Sequence, residues 1–206
     1  MEESEKEDNP MDEKNKIYII GGRGVGKTSF LNRLLFDKYD DNIIESELGI
    51  TASQYKINDK EFTIKELTDD EDFTFANKLK NELEDILLIF VIFSLDNRET
   101  FKEAKNLVKF IYDNISNNTE ISVVILGNKY DLDDKKVHKR EVKKITNSND
   151  NIKYFQISCK NNHNMNDVKE IIENLEIKEE TKEEDNELTE EERKKKFEDA
   201  KCCVFC

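Results

Sequence analysis

Ile17-Tyr18-Ile19-Ile20-Gly21-Gly22-Arg23-Gly24-Val25-Gly26-Lys27-Thr28 is the stretch that decides how this chain is read. Its last eight residues fit G-x-x-x-x-G-K-[ST], and its first four are an apolar run. Beyond it, Leu31, Leu34 and Leu35 recur on one side of a helical pattern. Strand, glycine-rich loop and helix in that order are the setting a phosphate-binding loop requires. Glycines let successive N–H groups converge on a phosphate, and the helix N-terminus adds partial positive charge. Lys27 is placed to reach β- and γ-phosphates, and the Thr28 hydroxyl to ligate Mg²⁺. A plain glycine turn ahead of a helix is the alternative, and it leaves the Lys-Thr offset unexplained.

Outward from this loop, apolar strands alternate with amphipathic helices, which predicts an α/β fold with a mostly parallel sheet. Strands are predicted at 16–20, 53–57, 61–67, 86–93, 122–126 and 154–157, with Asn58-Asp59-Lys60 as a hairpin turn. Residues 86–93 are apolar throughout, as a strand buried on both faces should be. Helices are predicted at 29–36, 75–83, 98–114, 140–146 and 165–175. Phe101, Ala104, Leu107, Val108 and Ile111 form a helical stripe, a core face rather than a ligand contact.

The chain of 206 residues carries a net charge of −14. Residues 1–15 hold seven acids against two lysines, and residues 176–206 twelve acids against seven bases, leaving −4 for the middle. The expected organisation is an acidic disordered arm at 1–15, one domain at 16–175, and a charged flexible tail at 176–206. No basic face marks a nucleic-acid partner, and no run approaches the ~18 apolar residues of a membrane span. Met1-Glu2-Glu3-Ser4 has neither an apolar signal region nor a glycine after Met, so a cytosolic start without myristoylation is expected. Three of the four cysteines crowd the last five residues, which argues against a disulfide framework.

Two later segments specify the nucleotide. Asn128-Lys129-Tyr130-Asp131 follows the strand ending at Leu126, and Ser158-Cys159-Lys160 follows the strand ending at Ile157. Both lie at C-terminal strand ends, where open α/β sheets bind ligands. With these residues the chain resembles the Ras-like small GTPases, closest to the Rab branch in Gly127-Asn128-Lys129-Tyr130-Asp131-Leu132. The resemblance spans about residues 16–175 and implies a three-layer P-loop NTPase fold, a Ras-like G domain, with GTP or GDP and Mg²⁺ as cofactors. It implies a nucleotide-binding set of Gly21, Gly22, Arg23, Gly24, Val25, Gly26, Lys27, Thr28 and Ser29. Asp131 would accept from the N1–H and exocyclic amine of guanine, a donor pair adenine lacks. Asn128 would brace the loops, and the Lys129 stem would cover the ring. The Cys159 N–H would donate to the guanine O6, with Ser158 and Lys160 shaping that loop. Tyr39, eleven residues after Thr28, stands where the family sets an aromatic against the base. An adenylate-using P-loop kinase or ATPase is the competing enzyme class, and it gives Asp131 no role.

The hydrolytic parts depart from the family pattern. Aligning Leu48-Gly49-Ile50 with the family's Ile-Gly-Val puts Glu47 where a switch I threonine binds Mg²⁺; a one-residue slip puts Ser46 there. The family's Asp-Thr-Ala-Gly-Gln reads Glu66-Leu67-Thr68-Asp69-Asp70 here. Glu66 keeps a carboxylate for the outer metal shell. Asp69 replaces a glycine that approaches the γ-phosphate, and Asp70 replaces the glutamine that orients water. An ionised aspartate is shorter and cannot donate a hydrogen bond. Arg23 replaces a small residue near the γ-phosphate; it could obstruct hydrolysis, act as an arginine finger in cis, or point to solvent. Lys27 remains as the catalytic cation, with Asp70 and Arg23 as the open candidates beside it. The expectation is intact nucleotide binding with very slow hydrolysis.

The chain ends Cys202-Cys203-Val204-Phe205-Cys206, which looks like the Cys-Cys-x-x-x ending of some Rab-type GTPases and implies prenylation at Cys202 and Cys203. Cys203 onward also reads as C-a-a-X. Redox or metal-binding cysteines are the plainer alternative. Arg193-Lys194-Lys195-Lys196 would assist on an anionic leaflet, offset by neighbouring acids. The resemblance therefore implies a membrane-anchored switch in vesicle traffic. It would sit on the cytoplasmic face of an intracellular membrane, with a cytosolic pool. Exchange factors, activating proteins, effectors and the prenylation machinery would be its partners. A pseudo-GTPase scaffold holding nucleotide as a structural ligand is the alternative.

Overall fold

A computed structural model of the chain describes residues 15–41, 51–68, 85–114, 121–146 and 152–177. Several expectations lie outside these residues: the arm at 1–14, Ser46 and Glu47, Asp69 and Asp70, the helix at 75–83, and the tail with Cys202 and Cys203. Among the described residues, six strands form one sheet in the order β2-β3-β1-β4-β5-β6. They are β1 (Lys16–Gly21), β2 (Thr51–Ile57), β3 (Lys60–Thr68), β4 (Ile86–Ser94), β5 (Ser122–Asn128) and β6 (Ile152–Gln156). All neighbours pair parallel except β2 and β3, which form an antiparallel hairpin. The hairpin loop is Asn58-Asp59 alone, with Ile57 opposite Lys60. Both loop residues have positive φ, 47° and 64°, the conformation a two-residue turn needs to match strand twist. Lys60 thus belongs to β3 rather than to the turn.

Four helices are described: α1 (Lys27–Phe36), α2 (Arg98–Asn114), α3 (Lys139–Thr146) and α4 (Met165–Glu173). The centre of the sheet, β1, β4 and β5, is buried on both faces because these strands alternate two apolar sets. On β4, Ile89, Val91 and Phe93 face the layer of α2 and α3, where Phe101, Leu107, Ile111 and Val142 pack. Leu88, Phe90 and Ile92 face the layer of α1 and α4, against Phe30, Leu34, Val168 and Ile172. Alternation with a period of two makes one strand serve two cores. The result is the expected three-layer α/β architecture with a mostly parallel sheet.

Most element boundaries shift by one or two residues from those expected, and the shifts of α1, β6 and α4 have a local reason. α1 begins at Lys27, two residues early, because Gly26 at φ 91° serves as its N-cap. β6 begins at Ile152 because that residue pairs with Val123, and it ends at Gln156. Ile157 lies beyond β6, yet its N–H still donates to the Gly127 carbonyl at 2.8 Å. α4 ends at Glu173, where Lys60 Nζ donates to the Glu173 and Leu175 carbonyls at 3.0 and 2.6 Å. No described helix is long and apolar enough to cross a membrane.

Candidate functional site

The parallel register delivers the C-terminal ends of β1, β3, β4 and β5 to one edge of the sheet. The glycine-rich loop leaves β1 there and enters α1. At Gly21 a Cβ would run into the Ile92 carbonyl oxygen, so the loop can pack onto β4 only without a side chain. At Gly26 the φ of 91° disfavours any other residue, and a Cβ would meet the Asn128 amide nitrogen at 2.5 Å. Val25 turns its side chain into the core, leaving its backbone to the loop. Arg23 is exposed in the turn.

Lys27 is 4% exposed, and its Nζ donates to the Gly21 and Gly22 carbonyls at 2.9 Å each. These two bonds pin the ammonium across the mouth of the glycine-rich loop, where it sets a positive charge beside the converging backbone. Next to it, the Thr28 hydroxyl donates to Glu66 Oε1 at 2.9 Å. Glu66 is 3% exposed, on β3. Because Thr28 spends its proton on Glu66, its lone pairs stay available to a cation, and the carboxylate balances that charge. All the donor atoms are hard oxygens, which fits Mg²⁺. Among the described residues no cluster of three or more His, Cys, Asp or Glu forms a protein-only cage.

Behind the loop, a cavity of about 300 Å³ is lined by Gly26, Ser29, Tyr39, Asp41, Asn128, Lys129, Asp131, Leu132, Cys159 and Lys160. Asn128 is its keystone. Its Nδ2 donates to the Val25 carbonyl at 2.9 Å, and its Oδ1 accepts from the Cys159 N–H at 3.3 Å. One buried amide therefore ties three loops together. Ser158 Oγ donates to Asp131 Oδ1 at 2.5 Å and accepts from the Asn161 N–H at 3.0 Å. That bond orients the Asp131 carboxylate toward the cavity wall it shares with Lys129 and Leu132. Burial pushes the Cys159 thiol up to about 12, so it stays protonated and takes no nucleophilic part. Tyr39 donates to Asp41 at 3.0 Å, and its hydroxyl titrates above the ordinary tyrosine range, first through burial and then through that bond.

The sequence-predicted residues Gly26, Ser29, Tyr39, Asn128, Lys129, Asp131, Cys159 and Lys160 thus converge on one cavity, with Ser158 behind it. Lys27, Thr28 and Glu66 converge beside the loop. Residues that sequence reasoning missed are Asp41 and Leu132 in the wall, and Arg33 beneath it. Arg33 Nε donates to the Cys159 carbonyl at 2.8 Å and Nη2 to the Lys160 carbonyl at 3.2 Å. Nothing within α1 signals this, because the partners lie 126 and 127 residues downstream.

The Ras family model matches residues 16–177, which covers the sheet, the loop and the cavity. The chain belongs to the Ras family. Rhes of Mus musculus, a GTP-binding protein, is 27% identical over 170 residues, covering 77% of this chain and 63% of Rhes. The chain thus spans less than two thirds of that relative's length. Rab-9A of Rattus norvegicus is 28% identical over 156 residues, covering 73% of this chain and 76% of its own. The NF-kappa-B inhibitor-interacting Ras-like protein 2 of Xenopus laevis is 32% identical over 128 residues, 59% of this chain and 76% of its own. The chain is thus a Ras-family member with Rab relatives at low identity, and proteins of that family generally bind GTP or GDP with Mg²⁺.

Proposed function

We propose that this Ras-family protein is a membrane-anchored, Rab-like switch whose GTP state is long-lived. The observation that carries the reading is the cavity wall in which Ser158 fixes the Asp131 carboxylate and Asn128 ties the reader loops to the phosphate loop. In this reading Asp131 accepts from guanine N1–H and the 2-amine. The Cys159 N–H, now on a long 3.3 Å bond to Asn128, turns part of its donor strength to O6. The Lys129 stem and Tyr39 flank the ring. Lys27, held across the loop by the Gly21 and Gly22 carbonyls, presents its charge to the β- and γ-phosphates. The Thr28 hydroxyl, backed by the Glu66 carboxylate, would hold Mg²⁺, which would supply charge neutralisation at the phosphates.

Binding groups are all present in this account, whereas the hydrolytic ones are changed. At the family's water-orienting and γ-phosphate positions stand Asp70 and Asp69, and Arg23 stands in the loop. Phosphoryl transfer rests on positioning and charge stabilisation, so two added carboxylates and a lost glutamine slow it by orders of magnitude. Single-turnover phosphate release from protein preloaded with GTP and Mg²⁺ tests this. Release within minutes, abolished by Asp70→Ala, would show that Asp70 replaces the glutamine. The Cys202-Cys203 pair supports prenyl anchoring, two chains giving stable attachment where one gives marginal attachment. Membrane retention of the Cys202→Ser, Cys203→Ser double variant would count against it. The same aspartates favour a second reading, a scaffold that keeps nucleotide as a structural ligand. Equal partner binding by the GDP and GTP-analogue forms would select the scaffold.

A further inference from the structure

Outside the cavity, the side chain of Tyr130 lies stacked on His163, ring centroids 4.5 Å apart and planes 11° from parallel. Lys135 Nζ also sits over the Tyr130 ring, 4.5 Å from its centroid. Tyr130 belongs to the Asn128–Asp131 loop. His163 closes the Ser158–Lys160 loop: Ser158 and His163 exchange both backbone hydrogen bonds, at 3.2 and 3.1 Å. The stack therefore joins the two reader loops on their outer side, while Ser158 and Asp131 join them on the inner side.

These loops need external holding. Lys129 adopts a φ of 64°, and Asn162 and Asn164 adopt 59° and 55°. A left-handed lysine is strained, and such a conformation persists only where its surroundings over-determine it. Tyr130, the next residue, is fixed by its N–H donating to the Ile157 carbonyl at 3.0 Å and by the ring stack. Asp131 follows directly, so its carboxylate depends on where Tyr130 is held.

We propose that the Tyr130–His163 stack is a positioning clamp that keeps Asp131 in register with the base and thereby sets guanine-nucleotide release and base selectivity. This rests on the cavity being the guanine site. Neither ring lines the cavity; both act through Asp131 and the Ser158 loop. Aromatic pairs of this kind contribute enough to change a dissociation rate about two- to tenfold.

The test uses full-length protein and two ligands, GDP and inosine diphosphate, which lacks the 2-amine. Dissociation rates are measured for wild type, Tyr130→Ala, His163→Ala and the double variant, with Tyr130→Phe and His163→Phe as conservative controls. The clamp predicts GDP release faster by about two- to tenfold in either alanine variant, with little further loss in the double variant. It also predicts a smaller change for inosine diphosphate, so the preference for GDP narrows, and near wild-type behaviour in the phenylalanine variants. Unchanged GDP release, purely additive effects, or an unchanged GDP preference overturns the clamp while leaving the guanine site standing. Failure of wild type to bind GDP over inosine diphosphate overturns the guanine reading, and the clamp with it.

Discussion

Arg33→Ala is the substitution that most directly separates the scaffold of the base site from its contact surface. Arg33 does not itself line the cavity, yet its guanidinium donates to three carbonyls, two of them on wall residues: Cys159 at 2.8 Å, Lys160 at 3.2 Å and Asp37 at 2.8 Å. The first is part-buried, and the other two are exposed. A charged donor on a part-buried carbonyl contributes about 1.5–3 kcal/mol, and the exposed bonds about 0.5 kcal/mol each. The 3.5 Å ion pair with Asp37 adds little, since Asp37 is 64% exposed. Arg33→Ala is therefore expected to cost about 2.5–4 kcal/mol of stability. Urea unfolding should show a lower midpoint at an unchanged slope. GDP release should quicken by about tenfold, since the Cys159 peptide that carries the O6-directed N–H loses its anchor. Arg33→Lys should recover only part of either, because an ammonium cannot reproduce the planar fork. A midpoint shift worth under about 0.5 kcal/mol, with GDP release unchanged, would refute the assignment.

Thr28→Ala leaves Glu66, buried on β3, without its 2.9 Å hydroxyl donor. It should cost about 1–3 kcal/mol and make GDP affinity insensitive to Mg²⁺ and EDTA in a fluorescence titration. Cys159, with its thiol pushed up to about 12 by burial, should resist iodoacetamide at pH 8 and react once urea unfolds the chain, as read by peptide mass mapping. Because this pKa is raised, the stabilising effect of keeping the thiol neutral is present at neutral pH. It diminishes as pH climbs past the unfolded thiol value toward 12. Glu141 is held at about 2, first by its hydrogen bond from Arg98 and then by the His138 N–H. A depressed carboxylate stabilises the fold above its unfolded pKa and loses that effect as pH falls toward 2. In an NMR titration, Arg98→Ala should move the Glu141 midpoint up toward the ordinary carboxylate range.

The site was legible where its chemistry is contiguous. Gly21–Thr28, Asn128–Asp131 and Ser158–Lys160 are short strings in which spacing alone carries the geometry, and the structure brings their residues to one sheet edge. The unbroken apolar run at 86–93 likewise announced a strand buried on both faces, since its successive residues turn alternately to the two cores. What stayed hidden depends on distance in sequence. Arg33 looks like an ordinary helix-surface cation until folding sets it beneath Cys159. Tyr130 occupies the variable position of its motif, and only the return of the chain at His163 reveals what its ring rests on. Helix α1 began earlier than its apolar pattern implied, since a left-handed glycine cap leaves no trace in hydrophobic periodicity.

The central claim is a guanine-selective site formed around Asp131 and Asn128. It is tested most directly by displacing fluorescent GDP from the Mg²⁺-loaded protein with GDP, GTP and ATP in parallel. An adenine ring places a lone pair where Asp131 needs N1–H and an amine where the Cys159 N–H needs an acceptor, so both protein groups would be left unpaired. The account predicts that GDP and GTP displace the probe while ATP requires at least about a thousandfold higher concentration. Displacement by ATP at concentrations comparable to GTP would contradict it.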